Sequence, residues 1–306
     1  MKENKTHDYE YVICNICDST DFVPITTYIE NNNKLYLGIC KNCGLAYLNP
    51  RWTKIKYTKY YETEYDGQYR PNLLLDSQAG APKFNIILER FKEEQLLPAR
   101  PVKILDIGSG EGTNLLAFRE EIKGCQLYAI EPSINSRDIL TKRGIHIIAT
   151  DVDDDWDKEF NSFFDIIILR HALEHFLDPS SSLKKVNKAL KSEGISYIAV
   201  PNNLSRVRNK GWLRLVHTYY FNKFSLANIL YKEGFNLISL REGDKYNALE
   251  LVAFTHKDRQ PQQVKIAKEY FLKQKLVFDS ELNKRQNFIY TIKQVFARLK
   301  NRLLGR

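Results

Sequence analysis

The sequence predicts an α/β protein whose core is a doubly wound, mostly parallel sheet. Segments typical of strands and of helices alternate from about residue 102 to residue 256. The predicted strands are apolar runs without polar alternation, which is typical of parallel strands covered on both faces. A glycine-rich turn joins the first of these strands to the first helix. Hydrophobic residues make up 43% of the 306-residue chain, as expected for a folded globular protein.

The alternation predicts the elements in chain order. The predicted strands cover residues 102–107, 126–130, 145–149, 165–169 and 195–200. The predicted helices cover residues 112–122, 136–143, 178–190 and 224–232. Two further strands, at 235–240 and 249–255, are separated only by a loop, so we expect them to be antiparallel. The predicted sheet therefore closes with a hairpin.

The turn after the first strand has the sequence Asp-Ile-Gly-Ser-Gly-Glu-Gly at residues 106–112. Glycine lets the backbone turn sharply and lets a ligand approach without a Cβ in the way. Ligands of open parallel sheets bind beyond the carboxyl ends of the strands. We therefore expect Gly108, Ser109 and Gly110 to contact a cofactor. Asp106 closes the strand and could accept a hydrogen bond from an amine of the ligand.

Acidic residues follow the next two predicted strands. Glu131 lies 131 − 112 = 19 residues after Gly112, which is the separation at which an acidic side chain binds ribose hydroxyls. A carboxylate suits a diol because it can accept two hydrogen bonds at once. Asp151 and Val152 follow the third strand, where we expect them to meet an adenine ring.

Two alternatives to this interpretation stay open from the glycine pattern. One is a dinucleotide enzyme, whose fingerprint is G-x-G-x-x-G/A. Here the glycines are at 108, 110 and 112, and Thr113 occupies the last fingerprint position, so this alternative is weakened. The other alternative is a plain glycine turn with a surface glutamate at position 131.

Residues 102–256 resemble the class I S-adenosylmethionine-dependent methyltransferases. The resemblance is carried by motif I at 105–112, by the acidic ribose position at 129–132 and by motif IV at 164–175, which ends in Leu-Glu-His. It implies a Rossmann-like sheet of seven strands with the last antiparallel, S-adenosylmethionine as methyl donor, and Arg170 of motif IV at the cofactor site. The Leu-Glu-His ending and the segment 217–221 resemble the branch that acts on small molecules, including quinone and sugar methyltransferases.

Four of the five cysteines form two Cys-x-x-Cys pairs, separated by 40 − 17 − 1 = 22 residues. Such pairs can present four thiolates tetrahedrally to one Zn²⁺ ion, and four protein ligands leave no open position, so the zinc is expected to be structural. The alternative is four unrelated buried cysteines, and Cys125 is interpreted as an ordinary buried thiol. A module of this kind before a tyrosine-rich helix resembles a methyltransferase subgroup from sugar, polysaccharide and antibiotic biosynthesis. The predicted ligands are Cys14, Cys17, Cys40 and Cys43.

Composition divides the chain into four predicted regions. These are a zinc-binding module at 9–50, a helical linker or lid at 51–100, the cofactor-binding catalytic domain at 101–256 and a basic helical tail at 257–306. Five tyrosines recur at near-helical spacing in the second region. They form either one packed face of a connecting helix or a lid whose phenols line the acceptor pocket. The five are Tyr57, Tyr60, Tyr61, Tyr65 and Tyr69.

The predicted reaction is an in-line displacement at a methyl carbon that the sulfonium already activates. Positioning supplies most of the catalysis, and a hydroxyl acceptor benefits from a base with a pKa near neutrality, such as histidine. His171 and His175 are four residues apart, so on a helix they would share a face. His217 follows the fifth strand. We predict His175 or His217 as the base, with Glu174 orienting a neighbour, while each histidine retains a purely structural role as its alternative.

The net charge of +9 belongs to the tail of the chain. Residues 257–306 carry 13 basic and 4 acidic residues, a surplus of nine, so residues 1–256 are neutral overall. A neutral catalytic body disfavours nucleic acid as the substrate. Apolar residues recur at helical spacing between 287 and 304. This amphipathic helix either packs on the body or on a second subunit, which would give a homo-oligomer, or lies on an anionic membrane surface.

The main prediction is a methyltransferase that acts on a small molecule, a hydroxyl of a sugar or glycan precursor. The second hypothesis is an RNA or protein methyltransferase that docks through the zinc module and the tail. The third is a non-catalytic, zinc-dependent interaction protein on the same fold. The polar first residues lack the apolar stretch of a signal peptide, and no segment is long and apolar enough to span a membrane. We therefore expect a cytoplasmic protein, with peripheral contact at the inner membrane face if the tail binds lipid.

Overall fold

The computed structural model describes residues 8–30, 33–69, 82–202, 214–257, 270–273, 275–276 and 278–279. Within these residues, no helix has the length and apolar character that a membrane span requires. The amphipathic helix predicted at 287–304 lies outside the described residues. Its membrane and oligomer interpretations, and the expected cytoplasmic location, therefore stay predictions.

The cysteine pairs lie beside a small antiparallel sheet, and we call the four cysteines with strands β2–β4 the cysteine module. The first five strands are β1 (Tyr9–Glu10), β2 (Phe22–Glu30), β3 (Asn33–Cys40), β4 (Ala46–Leu48) and β5 (Arg51–Trp52). β2, β3 and β4 pair consecutively, and β11 (Tyr219–Tyr220), a strand from much later in the chain, completes the sheet beyond β4. β1 and β5 form a separate antiparallel pair. The cysteine module is therefore joined to the catalytic part of the chain through backbone hydrogen bonds.

Seven α-helices accompany the sheets in the described residues up to position 257. They are α1 (Lys54–Thr63), α2 (Tyr65–Tyr69), α3 (Ile86–Glu93), α4 (Thr113–Glu121), α5 (Ile134–Lys142), α6 (Pro179–Ala189) and α7 (Lys223–Lys232). The Asn85 side chain caps α3 by accepting hydrogen bonds from the N–H groups of Ile87 and Leu88. The tyrosine-rich segment forms two helices, α1 and α2, with a break at Glu64.

The central sheet has seven strands, as the sequence predicts. Besides β11, the remaining strands are β6 (Lys103–Ile107), β7 (Gln126–Ile130), β8 (His146–Ala149), β9 (Phe164–Arg170), β10 (Leu190–Pro201), β12 (Phe235–Glu242) and β13 (Glu250–Lys257). Their order across the sheet is β12-β13-β10-β9-β6-β7-β8. The five neighbouring strands β10, β9, β6, β7 and β8 are parallel to one another. β13 is antiparallel to both of its neighbours, β10 and β12. The strand order reverses between β6 and β9, which is where such sheets bind ligands.

The apolar strand pattern follows from burial on both faces of this sheet. In β9, Ile166 and Ile168 belong to one core cluster, and Ile167 and Leu169 belong to the other. All four side chains are fully buried, so no position in the middle of the strand has a reason to be polar.

One predicted boundary is wrong. The fifth strand was expected at 195–200, whereas β10 begins at Leu190 and includes a register shift between Leu190 and Ile195. Leu190 is fully buried and pairs with Phe164, so packing extends the strand back across residues 191–194.

Phe91 of α3 provides a test of the core between the helix layer and the sheet. Its buried ring packs edge-to-face against Phe118 and Phe254, so Phe91→Ala leaves a cavity. We expect the free energy of unfolding, measured by urea denaturation, to fall by about 3–5 kcal/mol. Phe84→Ala, at a ring that is 59% exposed, should cost less than about 1 kcal/mol. Equal losses in the two variants would contradict the packing described here.

Candidate active site

The glycine loop follows β6 and adopts backbone conformations that favour glycine. Gly108 and Gly110 have φ values of 74° and 58°, in the left-handed region. Gly112 also has a positive φ, and a Cβ built there would lie 2.6 Å from Ile145 Cδ1. The first two glycines therefore allow the turn, and Gly112 lets α4 pack closely on its neighbours.

Glu131 joins this loop to the end of β7. The side chain is buried, its Oε2 accepts a hydrogen bond from the Gly110 N–H at 2.7 Å, and its Oε1 accepts one from the Ser133 N–H at 2.9 Å. A carboxylate oxygen can accept more than one hydrogen bond, so Glu131 is compatible with the predicted contact to a ribose. Glu131 is thus held rigidly at the edge of the pocket that lies beyond the strand ends.

The pocket has two halves. After the ligands that the sequence predicts for them, we call the part beyond the ends of β6, β7 and β8 the cofactor half and the part between α1, α2 and the segment after β9 the acceptor half. The cofactor half is lined by Ile107, Gly108, Ile130, Glu131, Pro132, Thr150, Asp151, Val152 and Asp153. The acceptor half is lined by Lys54, Tyr57, Thr58, Tyr61, Glu62, Tyr65, His171, Ala172, His175, Phe176 and Leu177.

Several residues predicted at the cofactor site lie close to this pocket without lining it. Asp106 is buried and accepts a hydrogen bond from Asn114 Nδ2 at 3.2 Å, and burial raises its pKa to about 7. Ser109 is buried in the loop, with its Oγ 3.5 Å from the carbonyl oxygen of Gly110. Arg170 donates to Glu250 Oε1 at 2.9 Å. The cofactor-binding roles of these residues stay predictions.

Three of the five tyrosines line the pocket and a fourth packs on Trp52, while a lid over an acceptor site stays a prediction. Tyr57, Tyr61 and Tyr65 line the pocket, whereas the Tyr60 ring packs against Trp52 with ring centroids 5.2 Å apart. Tyr61 and Tyr65 stack on each other at 4.7 Å. The side chain of Tyr69 lies outside the described residues. We call α1 and α2 the lid.

The segment after β9 does not form the helix that the histidine spacing suggested. The His171 N–H still donates to Ala199 in β10, and His171 then adopts a left-handed φ of 53°, so no helix can continue from it. A single 3₁₀ turn at Leu173–His175 follows. The two histidines therefore share no helix face. They approach Glu174 Oε1 separately, His171 Nδ1 at 3.5 Å and His175 Nε2 at 3.7 Å.

His171 is held as a cation. Its Nε2 lies 2.7 Å from Glu250 Oε1, and Glu250 also pairs with Arg90 Nη1 at 2.6 Å. Burial alone would lower the pKa of His171, but the contacts with Glu174 and Glu250 raise it to about 9. The partners of Glu250 hold the pKa of that carboxyl at about 2 against the effect of burial. A protonated imidazole cannot accept a proton, so His171 does not fit the role of base.

His175 and His217 are neutral at neutral pH. Burial lowers the pKa of His175 and lowers that of His217 to about 3. The two rings meet edge-to-face at 4.7 Å, and of the two only His175 lines the pocket. His175 Nδ1 lies 2.7 Å from the Tyr61 hydroxyl and 3.0 Å from the carbonyl oxygen of Val216. Glu174 is buried and, although burial raises its pKa, the neighbouring histidines lower it below its ordinary value.

The four cysteines of the N-terminal pairs converge on one point. Their sulfur atoms all lie within 4.8 Å of one another, with Cys14 and Cys43 3.4 Å apart and Cys17 and Cys40 3.5 Å apart. A tetrahedral zinc ion with Zn–S bonds of about 2.3 Å requires sulfur separations of roughly 3.8 Å, so these residues fit zinc with little adjustment. Cys125 is half-buried and separate from this group.

Two features of the site carried no signal in the sequence. Lys54 pairs with Asp151 and Asp153, and Glu250 pairs with His171, and each pair joins residues about 80 or more positions apart along the chain. Neither residue belongs to a local motif, so only the tertiary structure brings them to the pocket.

The seven-stranded sheet, the glycine loop and Glu131 together define a Rossmann-like methyltransferase that uses S-adenosylmethionine. Comparison with known families agrees, because the family model described as "Methyltransferase domain" matches residues 80–240, more than half of the chain. The chain belongs to this methyltransferase family. The dinucleotide enzyme and the non-catalytic interaction protein are therefore rejected as alternatives.

The chain is also similar to solved methyltransferase structures from several organisms. A chain from the complex between the Haloferax volcanii Trm112 methyltransferase activator and a methyltransferase is 13% identical, with a TM-score of 0.48 over 67% of this chain and 98% of that one. The 1,6-didemethyltoxoflavin-N1-methyltransferase of Burkholderia thailandensis is 17% identical, with a TM-score of 0.46 over 76% and 98%. An S-adenosylmethionine-dependent methyltransferase from Mesorhizobium loti is 13% identical, with a TM-score of 0.45 over 55% and 97%. No curated protein matches the sequence.

The pKa of Asp106 predicts how cofactor affinity depends on pH. If Asp106 binds the ammonium group of the cofactor, it must be ionised, and its pKa of about 7 makes the ionised fraction fall as the pH falls below neutrality. We expect the Kd for S-adenosylhomocysteine, measured by calorimetry, to rise about fivefold to tenfold between pH 8 and pH 6. Asp106→Asn should bind weakly at both pH values. A Kd that stays constant over this range in the unmodified protein would exclude the role.

Proposed function

We propose that this methyltransferase transfers the methyl group to a hydroxyl of a small molecule, a sugar or glycan precursor, and that His175 is the general base. The observation that carries the proposal is the neutral His175 imidazole in the acceptor half of the pocket, with Nδ1 2.7 Å from the Tyr61 hydroxyl. S-adenosylmethionine supplies an activated methyl group, so the protein has to align the acceptor oxygen and take up its proton.

The surroundings of His175 suit a base that becomes protonated during the reaction. The proton can reach Nδ1 directly or through the Tyr61 hydroxyl, which itself stays protonated because burial raises its pKa well above the ordinary value. The carbonyl of Val216 is placed to accept a hydrogen bond from the new Nδ1–H. On the other side of the ring, the Glu174 carboxylate stabilises the imidazolium. Glu174 and His217 are thus positioning residues in this proposal.

The acceptor half of the pocket supports a ring-shaped acceptor that carries hydroxyl groups. The stacked Tyr61 and Tyr65 rings and Phe176 give it an aromatic lining that suits the apolar face of a sugar ring, and the phenol hydroxyls suit its polar edge. The neutral charge of residues 1–256 also favours a small molecule over a nucleic acid. The resemblance of the cysteine module to enzymes of sugar and polysaccharide biosynthesis supports the same class.

A substrate screen with matched variants tests the proposal. Nucleotide sugars and lipid-linked glycan precursors are supplied with S-adenosylmethionine, and O-methylated products are identified by mass spectrometry. We expect His175→Gln to lower kcat by at least about 100-fold, while the Kd for S-adenosylhomocysteine changes less than threefold. Tyr61→Phe should lower kcat less. The control is His146→Gln, at an exposed histidine of β8.

Two results would overturn the proposal. Turnover of His175→Gln close to that of the His146→Gln control would remove His175 as base. Methylation of RNA or protein, with no product from any hydroxyl-bearing small molecule, would replace the acceptor class.

We also propose that Cys14, Cys17, Cys40 and Cys43 bind one structural Zn²⁺ ion. The support is the convergence of four sulfur atoms at separations close to those of a tetrahedral thiolate site. When bound, the ion would cross-link the two Cys-x-x-Cys turns and would take no part in methyl transfer, because all four positions are filled by protein.

Metal analysis tests the zinc site with a matched cysteine control. We expect about one zinc per chain in the purified protein, and Cys40→Ser should lose it and lower the Tm by several degrees. Cys125→Ser changes the same kind of residue outside the cluster and should keep both the zinc and the Tm. Zinc retained in Cys40→Ser, or absent from the unmodified protein, would contradict the proposal.

A further inference from the structure

The lid is attached to the sheet near its beginning by an ion pair. The Lys54 ammonium, at the first residue of α1, pairs with the carboxylates of Asp151 and Asp153 just after β8. Asp151 also accepts a hydrogen bond from the Asp153 N–H through Oδ1 at 2.9 Å, while Lys54 binds its Oδ2. Lys54 therefore fixes the orientation of the carboxylate that the sequence predicts for the adenine end of the cofactor.

A second attachment lies at the other end of the lid. The Asp66 carboxylate of α2 accepts hydrogen bonds through Oδ2 from Ser133 Oγ and from Asn135 Nδ2, after β7. Ser133 also donates its backbone N–H to Glu131, the residue predicted at the ribose. Asp66 Oδ1 is buried and has no hydrogen-bond partner among the residues that the structure describes, so it can accept one more hydrogen bond.

Between these two contacts the lid forms one wall of the acceptor half. Tyr57, Tyr61 and Tyr65 line the pocket from the lid, opposite the ends of the strands. The same tyrosines belong to a small apolar cluster, in which Tyr57 is buried with Trp52 and Tyr60, and Tyr61 and Tyr65 pack against it. The ion pairs of Lys54 contribute less stability than this apolar packing. The Lys54 side chain is 46% exposed, and ion pairs at such sites add little stability on their own. The ion pairs of Lys54 can therefore break and form again, so the beginning of α1 can move while the apolar cluster stays packed.

We propose that Lys54 and Asp66 are latch residues that couple closure of the lid to binding of the nucleoside part of the cofactor. The two latches hold the segments predicted to bind adenine and ribose, so a bound nucleoside and a closed lid stabilise each other. Closure also places Tyr61 beside His175, so cofactor binding completes the acceptor half of the pocket. The coupling between lid closure and nucleoside binding rests on the family assignment. The statement that closure completes the acceptor half also rests on the proposed function.

Dissociation kinetics of S-adenosylhomocysteine test the latches without any acceptor. The variants are Lys54→Met, Asp66→Asn and the double variant, each in the full chain. The control is Lys56→Met on the same helix, where the ammonium lies over the rings of Tyr9 and Trp52. Zinc content and Tm are recorded for all variants as measures of folding.

We expect each single latch variant to dissociate at least tenfold faster than the Lys56→Met control. Because either break releases the same lid, the double variant should be no more than about threefold faster than the faster single variant. Single-variant rates within twofold of the control would overturn the proposal. Rate increases that multiply in the double variant would also overturn it, since they would show two independent local contacts. A substrate screen that fails leaves these rates unaffected, so failure of the proposed function can be told apart from failure of the latch.

Discussion

The backbone pairing of β4 with β11 connects the two parts of the molecule on which the site depends. Tyr219 and Tyr220 pair with Tyr47 and Ala46, and the Leu48 N–H donates to the carbonyl of Thr218. The residues just before β11 reach the active site. The carbonyl of Val216 contacts His175 Nδ1 and accepts a hydrogen bond from the Tyr57 hydroxyl, and Thr218 Oγ donates to the carbonyl oxygens of Glu174 and Phe176. The cysteine module thus supports the backbone around the candidate base, although its sulfur atoms take no part in the chemistry.

A buried group of charges supports the other side of the same site. Glu250, on the antiparallel strand β13, is fully buried and contacts Arg90, Arg170 and His171, while Arg90 also pairs with Asp244. Isolated buried charges are costly, but here each carboxylate oxygen of Glu250 has a cationic partner, and the two pairs that Arg90 forms are shorter than 3 Å. Removing Glu250 would take a carboxylate partner from Arg90, Arg170 and His171 at once. The reversed last strand therefore has a role in the site, because its first residue reaches the end of β9.

The sequence was informative where the physical signal is local. Uninterrupted apolar runs located the strands of the central sheet because both of its faces are covered, and the glycine loop was recognisable because its backbone angles favour glycine. The four-residue spacing of His171 and His175 did not reveal their arrangement, since periodicity does not report a left-handed residue that ends a strand. Lys54, Arg90 and Glu250 could not be assigned, because their partners come from distant parts of the chain. The predicted site residues come from a few loops, whereas the groups that set their charge come from the whole fold.

The three histidines near Glu174 show how that charge is distributed. They are chemically identical, yet the pKa of His171 is raised to about 9, while that of His175 is lowered and that of His217 is lowered to about 3. Burial lowers all three, so the difference comes from the carboxylates. His171 contacts both Glu174 and Glu250, whereas His175 reaches only Glu174, at 3.7 Å. A second carboxylate beside His175 would hold it protonated and remove its capacity to accept a proton. Placing Glu250 beside His171 alone therefore keeps the pocket-facing His175 neutral, while its neighbour carries the positive charge.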